Sequence, residues 1–400
     1  MSTVVSSRGK MVALTGNGAI ATGMMQINPD VVAAYPITPS TDIMQQFASF
    51  AHDGKVETNL VTVESEHSAM SACIGAAAAG GRVMTATSSQ GLALMWEMLY
   101  VASGYRLPIV MTDVNRALSA PINIHCDHSD SMGARDTSWI QLYSQNAQEA
   151  YDNLLMAIRI SEHADVRLPV MVCLDGFIIS HAIENIQVLD DADVKSFIGN
   201  YIPGPSLLDI ENPVTYGAID LQDYYMEHKK AQAVAMDNAK KVILDISKEY
   251  SDFVGREYGF FESYRLDDAE IAVVILNSAA GTMKVAIDAM REKGIKAGLL
   301  KLRVFRPFPA EEIAAALAHC KAVAVLDRCD SFGAQGGPLL MEIRSALYDC
   351  PNPPKVFNKI YGLGGRDFTL EDALAVLEET KGVAATGKVR QIKEYITVRQ

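Results

Sequence analysis

Through its first 180 residues the chain alternates short apolar runs with amphipathic or small-residue stretches, the pattern of a parallel sheet covered by helices. Val31–Ala34, Leu60–Val63, Val83–Thr87, Leu107–Val114 and Leu168–Leu174 read as strands, because each is short, apolar and followed by turn or cap residues. From Gly199 to Tyr258 the pattern breaks. Pro203, Gly204, Pro205 and Pro213 mark irregular chain, and Tyr224 to Tyr250 reads as one long charged helix. Alternation resumes at Asp268, with strands expected at Ile271–Leu276, Ala297–Leu302, Ala322–Leu326 and Lys355–Tyr361. Helices are expected between them at Thr282–Lys293, Ala310–Cys320, Pro338–Leu347 and Leu370–Lys381. The expected class is α/β, with one domain over 1–198, a linker and helical arm over 199–258, and a second α/β domain over 259–400, without an internal repeat.

With 400 residues, 49% hydrophobic and 21% charged, the chain can bury sizeable cores, which excludes disorder and coiled coil. A net charge of −13 argues against a nucleic-acid or anionic-membrane surface, since both need a basic footprint. No apolar run approaches the roughly 18 residues of a membrane span, and Met1–Lys10 lacks the basic-then-apolar order of a signal peptide. A soluble, cytoplasmic protein is expected. Cys73, Cys126, Cys173, Cys320, Cys329 and Cys350 form no Cys-x-x-Cys, so neither an iron–sulfur cluster nor a structural zinc is expected in this chain. The six thiols read as small buried hydrophobes in a reducing compartment.

Ligands of open parallel sheets bind beyond the carboxyl ends of strands, so the residues after each expected strand matter most. After the first comes Tyr35-Pro36-Ile37-Thr38-Pro39-Ser40-Thr41, where the prolines stiffen the turn holding Thr38 and Ser40 or Thr41 can cap the next helix. Thr38 is there either a ligand contact or a plain turn residue. After the second comes Glu64-Ser65-Glu66-His67-Ser68, leading into a helix so rich in Ala and Gly that another backbone or helix is expected to pack closely on it. Both glutamates also suit a helix start electrostatically. After Leu107–Val114 comes Asn115-Arg116-Ala117-Leu118, where a guanidinium can fork two N–H donors onto a carboxylate, or simply lie on the surface. A carboxylic acid, a hydroxyl and a guanidinium in one site suit a small anionic substrate.

Gly16-Asn17-Gly18-Ala19-Ile20-Ala21-Thr22-Gly23 superficially suggests a dinucleotide loop, but the third glycine is displaced from G-x-G-x-x-G. His125-Cys126-Asp127-His128 is rich in metal-ligand types, yet neighbours on an extended loop point in different directions, and no metal site is expected.

Tyr35-Pro36-Ile37-Thr38-Pro39-Ser40, Val63-Glu64-Ser65-Glu66-His67-Ser68-Ala69, Thr85-Ala86-Thr87-Ser88-Ser89-Gln90-Gly91-Leu92 and Asn115-Arg116-Ala117-Leu118-Ser119-Ala120-Pro121-Ile122-Asn123 together resemble the alpha subunit of 2-oxoacid:ferredoxin oxidoreductases. The last stretch is most similar to the pyruvate:ferredoxin branch. Arg303-Val304-Phe305-Arg306-Pro307-Phe308-Pro309 and Gly362-Leu363-Gly364-Gly365-Arg366-Asp367 extend the resemblance over nearly the whole chain. It implies a pyrimidine-type thiamine-diphosphate-binding domain followed by a transketolase C-terminal-like domain. It also implies oxidative decarboxylation of pyruvate to acetyl-CoA and carbon dioxide, reversibly, with coenzyme A and ferredoxin as co-substrates. Glu66 matches the glutamate that donates to N1′ of the aminopyrimidine, so that N4′ can remove the thiazolium C2 proton. Thr38 and Arg116 match the residues that hold the substrate carboxylate, and Pro36 belongs to the cofactor-binding turn.

The chain has no Gly-Asp-Gly with a following Asn for magnesium and diphosphate, and no cluster-binding cysteine set. The resemblance therefore implies a beta subunit supplying the diphosphate and Mg2+ half of the site, and gamma and ferredoxin-like delta subunits carrying 4Fe–4S clusters, with this subunit inactive alone. The sequence departs from the family pattern at His125-Cys126. The competing readings are a branched-chain or other 2-oxoacid enzyme, and a non-catalytic scaffold subunit.

Overall fold

The computed structural model describes residues 8–399, so the opening stretch read for signal character, Met1–Lys10, lies mostly outside the described residues. In chain order the strands are β1 (Lys10–Thr15), β2 (Val31–Ala34), β3 (Asn59–Thr62), β4 (Val83–Thr87), β5 (Ile109–Asn115), β6 (Ile140–Ser144), β7 (Val170–Asp175), β8 (Ile183–Val188), β9 (Phe261–Tyr264), β10 (Ile271–Leu276), β11 (Ala297–Leu302), β12 (Val304–Arg306), β13 (Ala322–Asp327), β14 (Lys355–Ile360) and β15 (Lys393–Tyr395). The expected strands appear at their places, shifted by a residue or two at some ends. The short β1, β8, β9, β12 and β15 and the fully buried β6 were not foreseen.

One sheet runs β12-β6-β7-β5-β4-β2-β3, parallel from β6 through β3. Every residue of β4, β5, β6 and β7 is buried, as expected of parallel strands covered on both faces, whereas the edge strand β3 shows Asn59, Val61 and Thr62 to solvent. Helices Gly16–Ile27 and Ala147–Glu162 pack on one face around Ile20, Met24, Tyr151 and Leu154, and the Ala-rich helix Glu66–Ala78 lies on the other. The second sheet runs β15-β14-β13-β10-β11-β9, with β9 antiparallel to β11. A two-stranded ribbon, β1 with β8, flanks the first sheet.

The long helix spans Tyr225–Val254, ends at Gly255 with φ +74°, and buries one stripe, which includes Ala235, Ala239, Val242, Ile243, Ile246, Tyr250 and Val254 with the polar Gln232 and Ser247. The halves of the chain interlock: β12, from the later half, pairs antiparallel with β6 and so completes the edge of the first sheet. Arg303, just before it, is buried and bonds Asn153 Oδ1 at 2.7 Å, Ser247 Oγ at 3.0 Å and the Gly259 carbonyl at 2.8 Å. One side chain thus ties the first sheet's helix, the long helix and the second half together.

At Gly16 the structure agrees with the displaced-glycine reading, and at Ser40 one sequence reading needs correction. Gly16 to Gly23 is helix, and its first N–H groups already donate to the Ile179 and Ser180 carbonyls, so its start is closed to a dinucleotide phosphate. A Cβ at Gly16 would come 2.5 Å from the Ile179 carbonyl oxygen, and one at Gly23 would come 2.9 Å from Leu154 Cδ2. These glycines serve close packing. Nor does a side chain at Ser40 cap the next helix: its hydroxyl donates back to the Ile37 carbonyl at 2.8 Å and closes the turn behind Thr38.

Candidate functional site

The first sheet's order places the ends of β7, β5, β4, β2 and β3 side by side, and these ends bring Asp175, Arg116, Ser89, Thr38 and Glu66 onto one edge. Consecutive connections pass to opposite faces there, which opens the crevice where such sheets bind ligands.

Glu66 opens helix Glu66–Ala78 and is buried, while Ser65 caps the helix by accepting the Ser68 N–H at 3.2 Å. Glu64 is exposed, and the hydroxyl of Ser68 donates to its carboxylate, which lowers its pKa. Of the two glutamates, only Glu66 is a buried acid free to serve a ligand. Gly91 forms the wall against it: a Cβ on Gly91 would come 2.8 Å from Glu66 Oε1 and 2.5 Å from Thr87 Oγ1. Thr87 Oγ1 is itself buried without a hydrogen-bond partner.

Arg116 is also buried. Its Nε donates to the Asn123 carbonyl and its Nη1 to the Thr38 carbonyl, each at 2.9 Å, so Nη2 and the second Nη1 hydrogen remain for a ligand. Burial lowers the guanidinium pKa, and the Asp130 carboxylate pulls it the other way. Thr38 and Pro36 are exposed on the turn after β2. Asn17, buried in the first helix, anchors that turn by donating to the Pro39 carbonyl at 2.8 Å. The structure therefore joins Thr38 and Arg116 directly, sets Glu66 in the same crevice edge, and leaves Pro36 at its rim.

Beneath these loops lies a buried acidic pair. Asn115 Nδ2 donates to Asp113 Oδ2 at 2.9 Å and to Asp130 Oδ1 at 3.0 Å. Burial, and after it the facing Asp130, push the Asp113 carboxyl well above its ordinary value, and its Oδ1 has no partner. Burial pushes Asp130 up to about 6, against the N–H groups of Arg116, Ser131 and Ser89 and the Asn115 amide, which favour its charged form.

Asp175, at the end of β7, is the meeting point of both sheets. Its Oδ1 accepts Cys126 Sγ at 3.1 Å, His128 Nε2 at 2.8 Å and Asn277 Nδ2 at 2.9 Å, while Oδ2 accepts the Ser278 N–H at 3.1 Å, the Ser278 hydroxyl and Arg328 Nη1 at 2.8 Å. Burial opposes the charge, but Arg328, His128 and these bonds outweigh it and hold the carboxyl far below its ordinary range. The 123–127 loop is pinned to the second half as well: Asn123 Nδ2 donates to the Gly364 carbonyl at 3.0 Å, and the Gly365 N–H donates to the Cys126 carbonyl at 2.6 Å. The Gly362 to Asp367 stretch is thus a docking loop for the arginine-bearing one.

The reading of His125 to His128 is corrected in part. Cys126 and His128, two apart, point the same way, and with Asp175 their ligand atoms lie within 4.8 Å of one another. Arg328 Nη1 sits 2.8 Å from Asp175 Oδ2 and 3.7 Å from Cys126 Sγ, so a fixed cation already balances the charge of this cluster. Cys126 is accordingly a hydrogen-bond donor rather than an apolar filler, and Cys350 is only half-buried.

Residues 22–248 match the family described as pyruvate flavodoxin/ferredoxin oxidoreductase, thiamine diphosphate-binding, and residues 269–373 match the core domain II of pyruvate:ferredoxin oxidoreductase. The chain belongs to the pyruvate:ferredoxin oxidoreductase family. Among its relatives, a Thermotoga maritima protein named pyruvate synthase subunit PorA is 55% identical over 92% of this chain and 94% of its own. A Methanocaldococcus jannaschii protein of the same name is 46% identical over 92% and 94%, and a Pyrococcus abyssi ketoisovalerate oxidoreductase subunit VorA is 45% identical over 96% of each. The solved 2-oxoglutarate:ferredoxin oxidoreductase of Magnetococcus marinus shares the fold, with a TM-score of 0.72 at 22% identity, over 93% of this chain and 65% of that one. A split-gene transketolase is similar at a TM-score of 0.54 and 11% identity, over 93% and 99%. The α/β architecture and the thiamine-diphosphate-binding character of the first domain are those of the pyruvate:ferredoxin oxidoreductase family.

The residues fit part of that cofactor. A buried acid, Glu66, and a partnerless buried hydroxyl, Thr87, lie together beside the bare backbone of Gly91, which suits a planar heteroaromatic ring edge needing a donor. Reading strand ends in sequence found Glu66, Thr38 and Arg116, but missed Asp175, although Leu174-Asp175-Gly176 is itself a strand end and the same rule applied to it. Asp130, Ser89 and Asn17 left no such signal, because their partners are main-chain groups brought close only by folding.

Proposed function

We propose that the chain is the alpha subunit of an enzyme that oxidatively decarboxylates pyruvate to acetyl-CoA and carbon dioxide with reduction of ferredoxin. The observation that carries this is the convergence of Glu66, Thr38 and Arg116 on one crevice edge of a chain 55% identical to a pyruvate synthase subunit. Thiamine diphosphate, when bound, supplies the nucleophilic carbon and the electron sink for decarboxylation. Glu66 would hold its proton toward the pyrimidine N1′, Gly91 would let the ring approach, and Pro36 would border it. Arg116 would present its unused N–H donors to the pyruvate carboxylate, and the Thr38 hydroxyl would add a neutral donor. A shared carbonyl–guanidinium bond orients both before substrate arrives, which lowers the entropic cost of binding.

The diphosphate and Mg2+ ligands would come from a beta subunit, and gamma and delta subunits would carry the 4Fe–4S clusters, since this sequence holds neither motif. The names of the relatives, each a subunit, support such an assembly. We further propose the division 1–198, 199–258 and 259–400, and a cytoplasmic location consistent with free thiols at all six cysteines. No helix among the described residues is long and apolar enough to cross a membrane.

The 45% identity to a ketoisovalerate enzyme's subunit favours a second reading, a branched-chain 2-oxoacid oxidoreductase. A scaffold role is disfavoured by the intact acid, hydroxyl and guanidinium. The deciding experiment compares the purified assembly on pyruvate and 2-oxoisovalerate. Higher kcat/KM on pyruvate supports the proposal, preference for 2-oxoisovalerate moves it to the second reading, and no turnover of either overturns both.

A further inference from the structure

Asp130 occupies the short helix Ser129–Gly133 and is buried, and one of its oxygens touches the main chain on both sides of the site. Oδ2 accepts the Ser89 N–H at 3.0 Å and the Arg116 N–H at 2.8 Å. Ser89 has φ +48°, a left-handed conformation that a serine holds only when its surroundings fix it. Its hydroxyl adds a parallel tie, donating to the Ala117 carbonyl at 2.6 Å. Two residues on, Gly91 forms the wall against Glu66. One residue before Ala117, Arg116 reaches Thr38.

We propose that Asp130 is the positioning residue that locks the turn behind Glu66 and the loop carrying Arg116 into one frame, so that the acid facing the cofactor and the group facing the substrate carboxylate keep a fixed separation. This rests on the functional reading above and extends it to a residue that touches neither ligand. The chemistry requires a carboxylate. Oδ2 must accept from two main-chain donors while Oδ1 accepts from Asn115 Nδ2 and the Ser131 N–H at 2.8 Å. In Asp130→Asn the amide NH2 would face donors whichever way it turned, although the side chain keeps its shape. Arg116 and Ser89 would then lose a shared anchor without a cavity being made.

The test uses the full reconstituted assembly. Amide hydrogen exchange is followed at Ser89 and Arg116 without cofactor, alongside pyruvate kinetics and C2 proton exchange of bound thiamine diphosphate. Asp130→Asn should assemble like the parent, with both amides exchanging about tenfold faster or more, since each loses its acceptor. The KM for pyruvate should rise about tenfold, and C2 exchange should slow by a similar factor. Unchanged amide protection overturns the inference, and so does faster amide exchange with KM and C2 rates within about twofold of the parent, which would mark Asp130 as structural alone. Should Asp130→Asn fail to assemble, Ser89→Ala decides, since it cuts the parallel tie without disturbing the acidic pair. A KM raised about threefold supports the proposal, and parental KM and C2 exchange overturn it. Glu66→Gln run beside them separates the two levels: parental C2 exchange in that variant sinks the assignment of Glu66 on which this inference rests, whereas slow exchange there with parental behaviour in Asp130→Asn sinks only this inference.

Discussion

The Nη1 of Arg116 donates to the main-chain carbonyl of Thr38 across 2.9 Å, so the turn after β2 and the loop after β5 act as one recognition element. Because the bond goes to the carbonyl, the Thr38 hydroxyl and the outer edge of the guanidinium stay uncommitted. Arg116→Lys removes this bond and the one to Asn123 together while keeping the charge. With charged hydrogen bonds worth roughly 1.5–3 kcal/mol, kcat/KM for pyruvate should fall by about 10- to 100-fold, mostly through KM. Thr38→Val should act in the same direction more mildly. Steady-state kinetics check both, and normal pyruvate binding with failed subunit assembly would make these loops interface elements instead.

Glu66→Gln should leave the assembly folded, because among the described residues the buried carboxylate makes no side-chain hydrogen bond, yet slow C2 proton exchange by about 100-fold or more, the scale of a lost general acid. Exchange as fast as in the parent would return the role to another group, Glu64 first.

The isolated chain should bind thiamine diphosphate weakly, because this sequence offers a ring-edge partner but no diphosphate or magnesium motif. Calorimetry on the purified chain with Mg2+ present should show little heat. Tight one-to-one binding by this chain alone would contradict the division of the site between subunits.

Arg328→Met should strip Asp175 of its charged partner and destabilise the fold by about 3–5 kcal/mol, the usual cost of orphaning a buried charge. Asp175→Asn with Arg328→Met should be less damaging than the sum of the two single changes. Denaturant unfolding of all four proteins supplies the cycle, and strict additivity would mean that the pair does not couple the two halves.

Stability should depend on pH with opposite signs at two buried carboxyls. Burial raises Asp327 to about 6, although it accepts the Leu339 and Leu340 N–H groups at the start of helix Pro338–Leu347. The folded state therefore takes up this proton before the unfolded one. Relative to Asp327→Asn, the parent should gain stability as pH falls from 7 to 4, by up to about 3 kcal/mol for a shift of roughly two pH units. Asp175, held low, works the other way: its contribution is complete above the ordinary carboxylate pKa and is lost as pH falls below about 4. Thermal melts across this range test both signs, and a parent that loses stability relative to Asp327→Asn on acidification would refute the first.

What the sequence determined by itself is what local pattern can encode. Short apolar runs gave most of the parallel strands of both sheets, since a buried parallel strand is largely apolar, and the strand-end rule picked out the Glu64 and Glu66 pair, Thr38 and Arg116. Motif order extended this to a family and its cofactor. Tertiary structure alone decided which acid is which: Glu64 and Glu66 are two residues apart, but only folding buries one against Gly91 and leaves the other in water. It also decided that β12 closes the first sheet, that Gly16 and Gly23 serve packing, and that Asp130 and Asp175 hold the site. Those roles depend on main-chain donors and an arginine far away in the chain, such as Arg328 against Asp175. A carboxylate's partners across such separations follow from how two sheets meet, and no local spacing records that.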